Sequence, residues 1–183
     1  MDNGRNPNVW ISSGIHMITD LHGDHSDERL SIAQQIMYDI QKTEEEIKSH
    51  KTILIGDMNE MPYGKSCLNA NGFHGLPEFN ASDKLTRTVN KREYRKFYNP
   101  MWNLFGDFSY PPGTYYLNQS KLHSPMWYML DQVIISKEVL PLFSKEYLKI
   151  ITSCSYSDLN DTRGRPNKKI SDHFPIICEI REK

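Results

Sequence analysis

Three short segments carry most of the reactive side chains that this sequence could bring to one place. They are Gly56-Asp57-Met58-Asn59-Glu60, Leu130-Asp131-Gln132-Val133-Ile134-Ile135-Ser136 and Ser171-Asp172-His173-Phe174-Pro175-Ile176. Each sets an acid, an amide or an imidazole at the end of a strongly apolar run. Asp57 can accept a proton from water or hold a divalent cation, and Asn59, two residues on, can donate to a phosphate oxygen. A charge at Asp131, inside so apolar a run, is costly unless paired, and an imidazole is its natural partner. Asp172 can ligate a hard cation such as Mg²⁺, which prefers oxygen. His173 can stabilise or protonate phosphate oxygens, and an Asp131–His173 pair would fix the ring's tautomer and raise its basicity. Each segment alone also has a plain structural reading: an Asx turn after a strand, an edge strand with a solvated Asp131, a surface turn. Taken together, they point to metal-assisted hydrolysis.

Such groups need strands that end at one place. Trp10 to Thr19 is rich enough in β-branched residues for a strand, with Gly14 its weak point. Leu30, Ala33, Ile36, Met37, Ile40 and Ile47 recur at helical spacing. Ser26 is a credible N-cap, and Asp27 and Glu28 follow where the helix dipole favours negative charge. The spacing predicts a helix over 27–49, with Glu44, Glu45, Glu46 and Lys48 facing water. Thr52 to Ile55 reads as a buried strand ended by Gly56. Strand, long helix and strand in that order resemble a crossover unit, or a helix laid on one face of a sheet. Further strands are expected over 128–136, 147–152 and 174–180. The stretch 61–98 reads as irregular, with a basic cluster at Lys91, Arg92, Arg95 and Lys96. An aromatic-rich stretch runs from Phe97 to Tyr128, and a polar, basic loop spans 158–169.

The chain of 183 residues is long enough for one domain with its own core, taken as residues 1–183, and its 38% hydrophobic and 25% charged content is ordinary for a globular protein. A formal net charge of -1 argues against a surface that is basic throughout, so phosphate binding must be local. Cys67, Cys154 and Cys178 are odd in number and not closely spaced, which argues against a disulfide framework and a zinc motif and fits a reducing compartment. No apolar run approaches the ~20 residues of a membrane span. The polar Met1 to Asn8 lacks the apolar centre of a secretory signal, so a cytoplasmic location is expected.

In this order, GDMN, LDQVIIS and SDHFPI resemble the endonuclease/exonuclease/phosphatase superfamily, which includes DNase I and exonuclease III and whose usual patterns are GDxN, LDxxxxS and SDHxP. His16 looks like the family's upstream catalytic histidine, although Met17-Ile18-Thr19-Asp20 is not the usual continuation. Pro112-Gly113-Thr114-Tyr115-Tyr116 resembles its Thr-aromatic segment. The resemblance spans about residues 10–181. It implies an α/β fold, a four-layered sandwich of two packed mixed sheets flanked by helices, and Mg²⁺- or Mn²⁺-dependent hydrolysis of a phosphodiester, nucleic acid foremost. By the same resemblance Asp57 would orient or deprotonate the attacking water and Asn59 would bind the scissile phosphate. Asp131 would orient His173, His173 would stabilise the transition state, His16 would assist the leaving group and Asp172 would ligate the metal. The family's opening strand with a catalytic Asn, and the following segment with a metal-binding Glu, have no counterpart here, so an N-terminally incomplete domain is expected. An incomplete sandwich would leave sheet edges free for self-association.

Two other readings stand beside this one. Asp20-Leu21-His22-Gly23 followed by Gly56-Asp57 also resembles the opening of calcineurin-like metallophosphoesterases, which would mean a two-metal site. The second Asp of that pattern is replaced by Asn59 and Glu60. The third reading is a non-catalytic binding or structural module.

Overall fold

The computed structural model describes residues 9–20, 23–80, 82–119 and 124–181. In chain order the elements are β1 (Ile11–His16), α1 (Ser26–Ile47), β2 (Thr52–Asp57), α2 (Lys65–Leu68), β3 (Gly75–Leu76), β4 (Thr86–Val89), β5 (Arg92–Arg95) and β6 (Phe97–Tyr98). They continue with β7 (Tyr115–Tyr116), β8 (Trp127–Tyr128), β9 (Asp131–Ile135), β10 (Phe143–Ile150), β11 (Ser153–Cys154), β12 (Ser157–Asp158) and β13 (Ile176–Ile180). The protein is of the α/β class. A mixed five-stranded sheet has the order β1-β2-β9-β6-β3.

β1 and β2 are parallel neighbours joined through α1, the crossover unit expected from their order. β9 runs antiparallel to β2 on its other side. Period-two alternation sends the side chains of these strands to opposite faces. Leu54 and Ile134 join Ile15, Ala33, Met37, Ile40, Phe73 and Phe97 in a core beneath α1. Val133 and Ile135 join Tyr98, Met101, Met129 and Leu148 in a second core. Phe143, Ile176 and Ile180, from the antiparallel pair β10 and β13, pack against that second core. Because both faces of β2 and β9 are covered, their sequences read as continuous apolar runs. Of the four layers expected, three are seen among the described residues: helix, five-stranded sheet and a two-stranded second sheet.

The α1 helix differs from expectation at its start and along its buried stripe. Ser26 is its first residue rather than its cap. His25 takes the cap position without a side-chain bond, and Asp24 Oδ1 accepts from Ser26 N at 2.9 Å. The stripe that meets the sheet is Arg29, Ala33, Met37, Ile40 and Glu44. Glu44, expected in water, is 2% exposed. It accepts from Thr52 Oγ1 and from Arg95 Nη1, and His50 Nδ1 lies 3.2 Å from it. Arg95 also reaches His50 O at 2.9 Å and Glu138 at 3.1 Å. A buried carboxylate is tolerated only with such partners.

Gly56 does not end β2, which continues through Asp57 because β1 and β9 pair with it on both sides. Its φ is +145°, and a Cβ there would lie 2.0 Å from the Ile15 carbonyl oxygen. Only glycine lets the strand pass. The irregular stretch 61–98 in fact holds α2, the short β3 and β6, and the β4–β5 hairpin.

Candidate active site

Strand register assembles the candidate site. His16 pairs with Asp57 across β1 and β2, and Asp57 pairs with Asp131 across β2 and β9. β1 and β2 run parallel and end here, while β9 runs the other way and begins here, so three strands deliver their polar residues to one sheet edge. His173 comes from the segment before β13. It is held by a bridge between Tyr115 and His173, and Phe174 N donates to Thr114 O at 2.8 Å. The Tyr115 and His173 rings lie 4.8 Å apart, tilted by 41°.

The His173 ring pairs with Asp131 through Nδ1, 2.8 Å from Oδ2. Its Nε2 lies 4.0 Å from Asp57 Oδ2, and His16 Nε2 lies 3.8 Å from the same oxygen. Asp57, Asp131 and His173 are about four-fifths buried, whereas the His16 side chain is 82% exposed. Burial disfavours the charged His173 ring, but the hydrogen bond and charge of Asp131, with Asp57 and Asp172, outweigh it and hold its pKa above the ordinary value. Burial pushes the Asp57 carboxyl up. The Asn59 backbone N–H opposes this, Asp131 pushes the same way as burial, and the two histidines pull down, leaving Asp57 raised.

Asn59 does two things, and both concern Asp57. Its backbone N–H donates to Asp57 Oδ1 at 2.8 Å, closing an Asx turn, and its Nδ2 donates to Asp57 Oδ2 at 3.1 Å. The same Nδ2 donates to Met17 O at 2.8 Å. Asn59 sits at φ +48°, a left-handed conformation in which asparagine is enriched. The Asx turn expected as the plain structural reading of this segment is present, and the Asn59 amide is directed to Asp57 and Met17. Glu60 acts elsewhere. Its Oε1 accepts from Lys65 N at 3.1 Å and its Oε2 from Ser66 N at 2.8 Å, satisfying the first amides of α2.

The ligand atoms of Asp57, Asp131 and His173 fall within 4.8 Å of one another. Two carboxylates this close carry an excess of negative charge, which is part of why Asp57 is raised. The two carboxylates suit a hard divalent cation such as Mg²⁺ or Mn²⁺, and the imidazole can join them only as the neutral ring. Asp172, expected as the metal ligand, is exposed and contributes no atom to this group. It does lie close enough to raise the pKa values of His173 and Tyr115.

The site also depends on residues to which the sequence alone attaches no role. Thr114 is fully buried, and its Oγ1 accepts from both Leu130 N and Asp131 N at 3.2 Å. Its own N–H donates to Tyr128 O at 2.9 Å. It thus ties β8, the start of β9 and the Phe174 segment together. Gly113 before it is obligatory, since a Cβ would come within 2.5 Å of Tyr128 O. Gln132 is buried beside Asp131. It accepts from Asn99 Nδ2 at 2.8 Å and donates to Glu60 O at 3.1 Å. The available signal is a polar residue set inside an apolar strand.

The rival two-metal reading rests on Asp20 and His22 followed by Gly56 and Asp57. Both Asp20 oxygens are taken by the buried Arg29, at 2.7 and 2.9 Å, and Leu21 and His22 lie outside the described residues. In the basic cluster, Arg95 is committed to Glu44 and Glu138, and Lys96 lies 4.7 Å over the Phe79 ring. Compared with known proteins, the chain matches no family model, no curated protein and no solved structure. No helix among the described residues is long and apolar enough to cross a membrane.

Proposed function

We propose that the chain is a divalent-metal-dependent phosphodiester hydrolase of the nuclease type. The observation that carries this reading is the Asp131–His173 pair, whose Nε2 is directed to within 4.0 Å of Asp57. Protonated His173 donates from Nδ1 to Asp131 and keeps a second N–H, on Nε2, for a phosphate oxygen. In the metal-free protein Asp131 and Asp57 raise the pKa of the ring above its ordinary value, which favours the protonated form. Asp57, oriented by Asn59, is the base that takes a proton from the attacking water. The exposed His16, beside Asp57, is open to a leaving group. Asp57 and Asp131 would hold the metal through oxygen; His173, protonated on both ring nitrogens, would face the phosphate rather than ligate, and Asp172 lies outside the group. The bound cation would stabilise negative charge on the phosphate oxygens.

The test is hydrolysis of bis(p-nitrophenyl) phosphate with Mg²⁺ or Mn²⁺, comparing wild type with Asp57→Ala and His173→Ala. Losses of about 10²–10⁴-fold are expected for each. Mn²⁺ should also raise the wild-type Tm, and Asp57→Ala should abolish that rise. Turnover unchanged in both variants would sink the reading, and absence of both turnover and metal binding would favour a non-catalytic module.

A further inference from the structure

The loop 159–170, between β12 and His173, is internally braced. Asp161 Oδ1 accepts from Arg163 N and Arg165 N at 2.8 and 3.0 Å, and Asp161 N donates to Arg165 O at 2.7 Å. Asn160 forms a bridge with Pro166, and Asn167 N donates to Leu159 O at 2.8 Å. Ser171 N donates to Asn167 O at 3.0 Å, which fixes the loop to the residue two before His173. Arg165 is laid over the Tyr116 ring at 4.0 Å. Arg163, Lys168 and Lys169 are exposed, and among the described residues none of them forms a salt bridge. Three cations on a braced turn, with no carboxylate in ion-pair contact among the described residues, make an arrangement suited to an anionic ligand.

Between this loop and the dyad lies a cavity of about 250 Å³. Leu159, Ile170, Phe174 and Pro175 line it together with Asp131 and His173. A phosphate alone would gain little from such apolar walls, whereas a flat ring would bury well against them. Bases in a duplex are stacked and paired, so a base can enter a pocket of this kind only from a single strand or after costly extrusion.

We propose that the substrate is single-stranded nucleic acid. One unstacked base enters the Leu159–Ile170–Phe174 cavity beside the dyad, and Arg163, Lys168 and Lys169 hold neighbouring phosphates of the same strand. This rests on the hydrolase reading and adds to it the substrate class and the surface that selects it.

The test is fluorescence anisotropy of a labelled single-stranded oligonucleotide across a salt series, with EDTA present to prevent turnover. The Arg163→Ala/Lys168→Ala/Lys169→Ala variant is compared with wild type. Each phosphate neutralised on a single strand contributes about 0.7 to the slope of log K against log salt, so the triple variant should lose about 2 from that slope and bind at least about 10-fold more weakly at low salt. Leu159→Trp, which fills the cavity, should weaken binding while leaving the slope unchanged. Lys42→Ala on α1, a surface away from the loop, should change neither. The proposal is overturned if the triple variant keeps the wild-type affinity and slope. It is equally overturned if a duplex of the same sequence, or vesicles carrying phosphatidylinositol phosphate, bind more tightly than the single strand. Wild type that binds the strand yet hydrolyses no diester with metal would instead count against the hydrolase reading, so the two failures are distinguishable.

Discussion

Replacing Asp131 by Asn tests the dyad with the least disturbance of shape. The amide oxygen can still accept from His173 Nδ1, which lies 2.8 Å from the native carboxylate, and Thr114 still receives the position 131 N–H. What disappears is the charge. A hydrogen bond to a charged group contributes about 1.5–3 kcal/mol, and the pair is largely buried, with side-chain exposures of 22% and 18%, so screening is modest. At about 1.4 kcal/mol per tenfold, losing that charge-assisted bond in the transition state lowers kcat/KM by about 10- to 150-fold. A second readout separates positioning from simple damage. Asp131 is the main cause holding the His173 pKa up against burial, so the alkaline limb of the pH–rate profile, where His173 loses its proton, should move to lower pH. The assay is kcat/KM for a diester between about pH 5 and 9, with Tm recorded on the same preparations. A full rate loss with an unmoved limb would refute the role given to Asp131, as would an unchanged rate.

Other consequences follow from the same electrostatics. Asp57→Asn should abolish turnover yet raise Tm at neutral pH. The folded pKa of Asp57 is raised by burial and by Asp131, so its contribution to stability is fully present below its ordinary value and is lost as pH rises through the raised one. The Tm gain of Asp57→Asn should therefore shrink toward zero at acid pH; a gain independent of pH would contradict this. His173 obeys the same sign, its contribution being complete below about pH 6.5 and lost as pH rises through its raised folded value. His173→Ala should therefore cost most stability at mildly acid pH, as measured by urea denaturation. Glu44→Ala leaves Arg95 and Thr52 facing a void at the end of β2 away from the site. It should cost about 3–5 kcal/mol in urea denaturation while leaving kcat of the folded fraction within about twofold; a large kcat effect would show that the two ends are coupled.

Local order is readable where local physics decides it. The α1 helix and the apolar runs of β2, β9 and β13 follow from periodicity and length, and their ends lie within a few residues of expectation. Glu44 departs furthest, since its neighbours Glu45 and Glu46 do face water. Its spacing four residues after Ile40 is the available signal, but the cation that makes its burial tolerable, Arg95, comes from a distant hairpin. Asp20 misleads in the opposite direction: beside His22 it resembles a metal ligand, yet the buried Arg29 takes its carboxylate. Arg29 sits on the apolar stripe of α1, where a helical wheel has no way of announcing its partner.

That Asp57, Asp131 and His173 stand at the ends of apolar strands is already written in the chain, because a run of Ile, Leu and Val must be buried and the polar residue beside it must emerge. Gly56 and Gly113 are different: what requires glycine there is the close approach of the Ile15 and Tyr128 carbonyls, which only the folded chain provides. Convergence of these ends is a matter of three dimensions. Which strands become neighbours, and in which register, depends on pairing between segments far apart in the chain; a shift of one residue would send Asp131 to the other face of the sheet. The same long-range choice left Asp172 outside the Asp57–Asp131–His173 group, brought the Met17 carbonyl to the Asn59 amide, and set Thr114 beneath the start of β9. Residue types pointed to candidate groups, and strand register put Asp57, Asp131 and His173 within reach of one another.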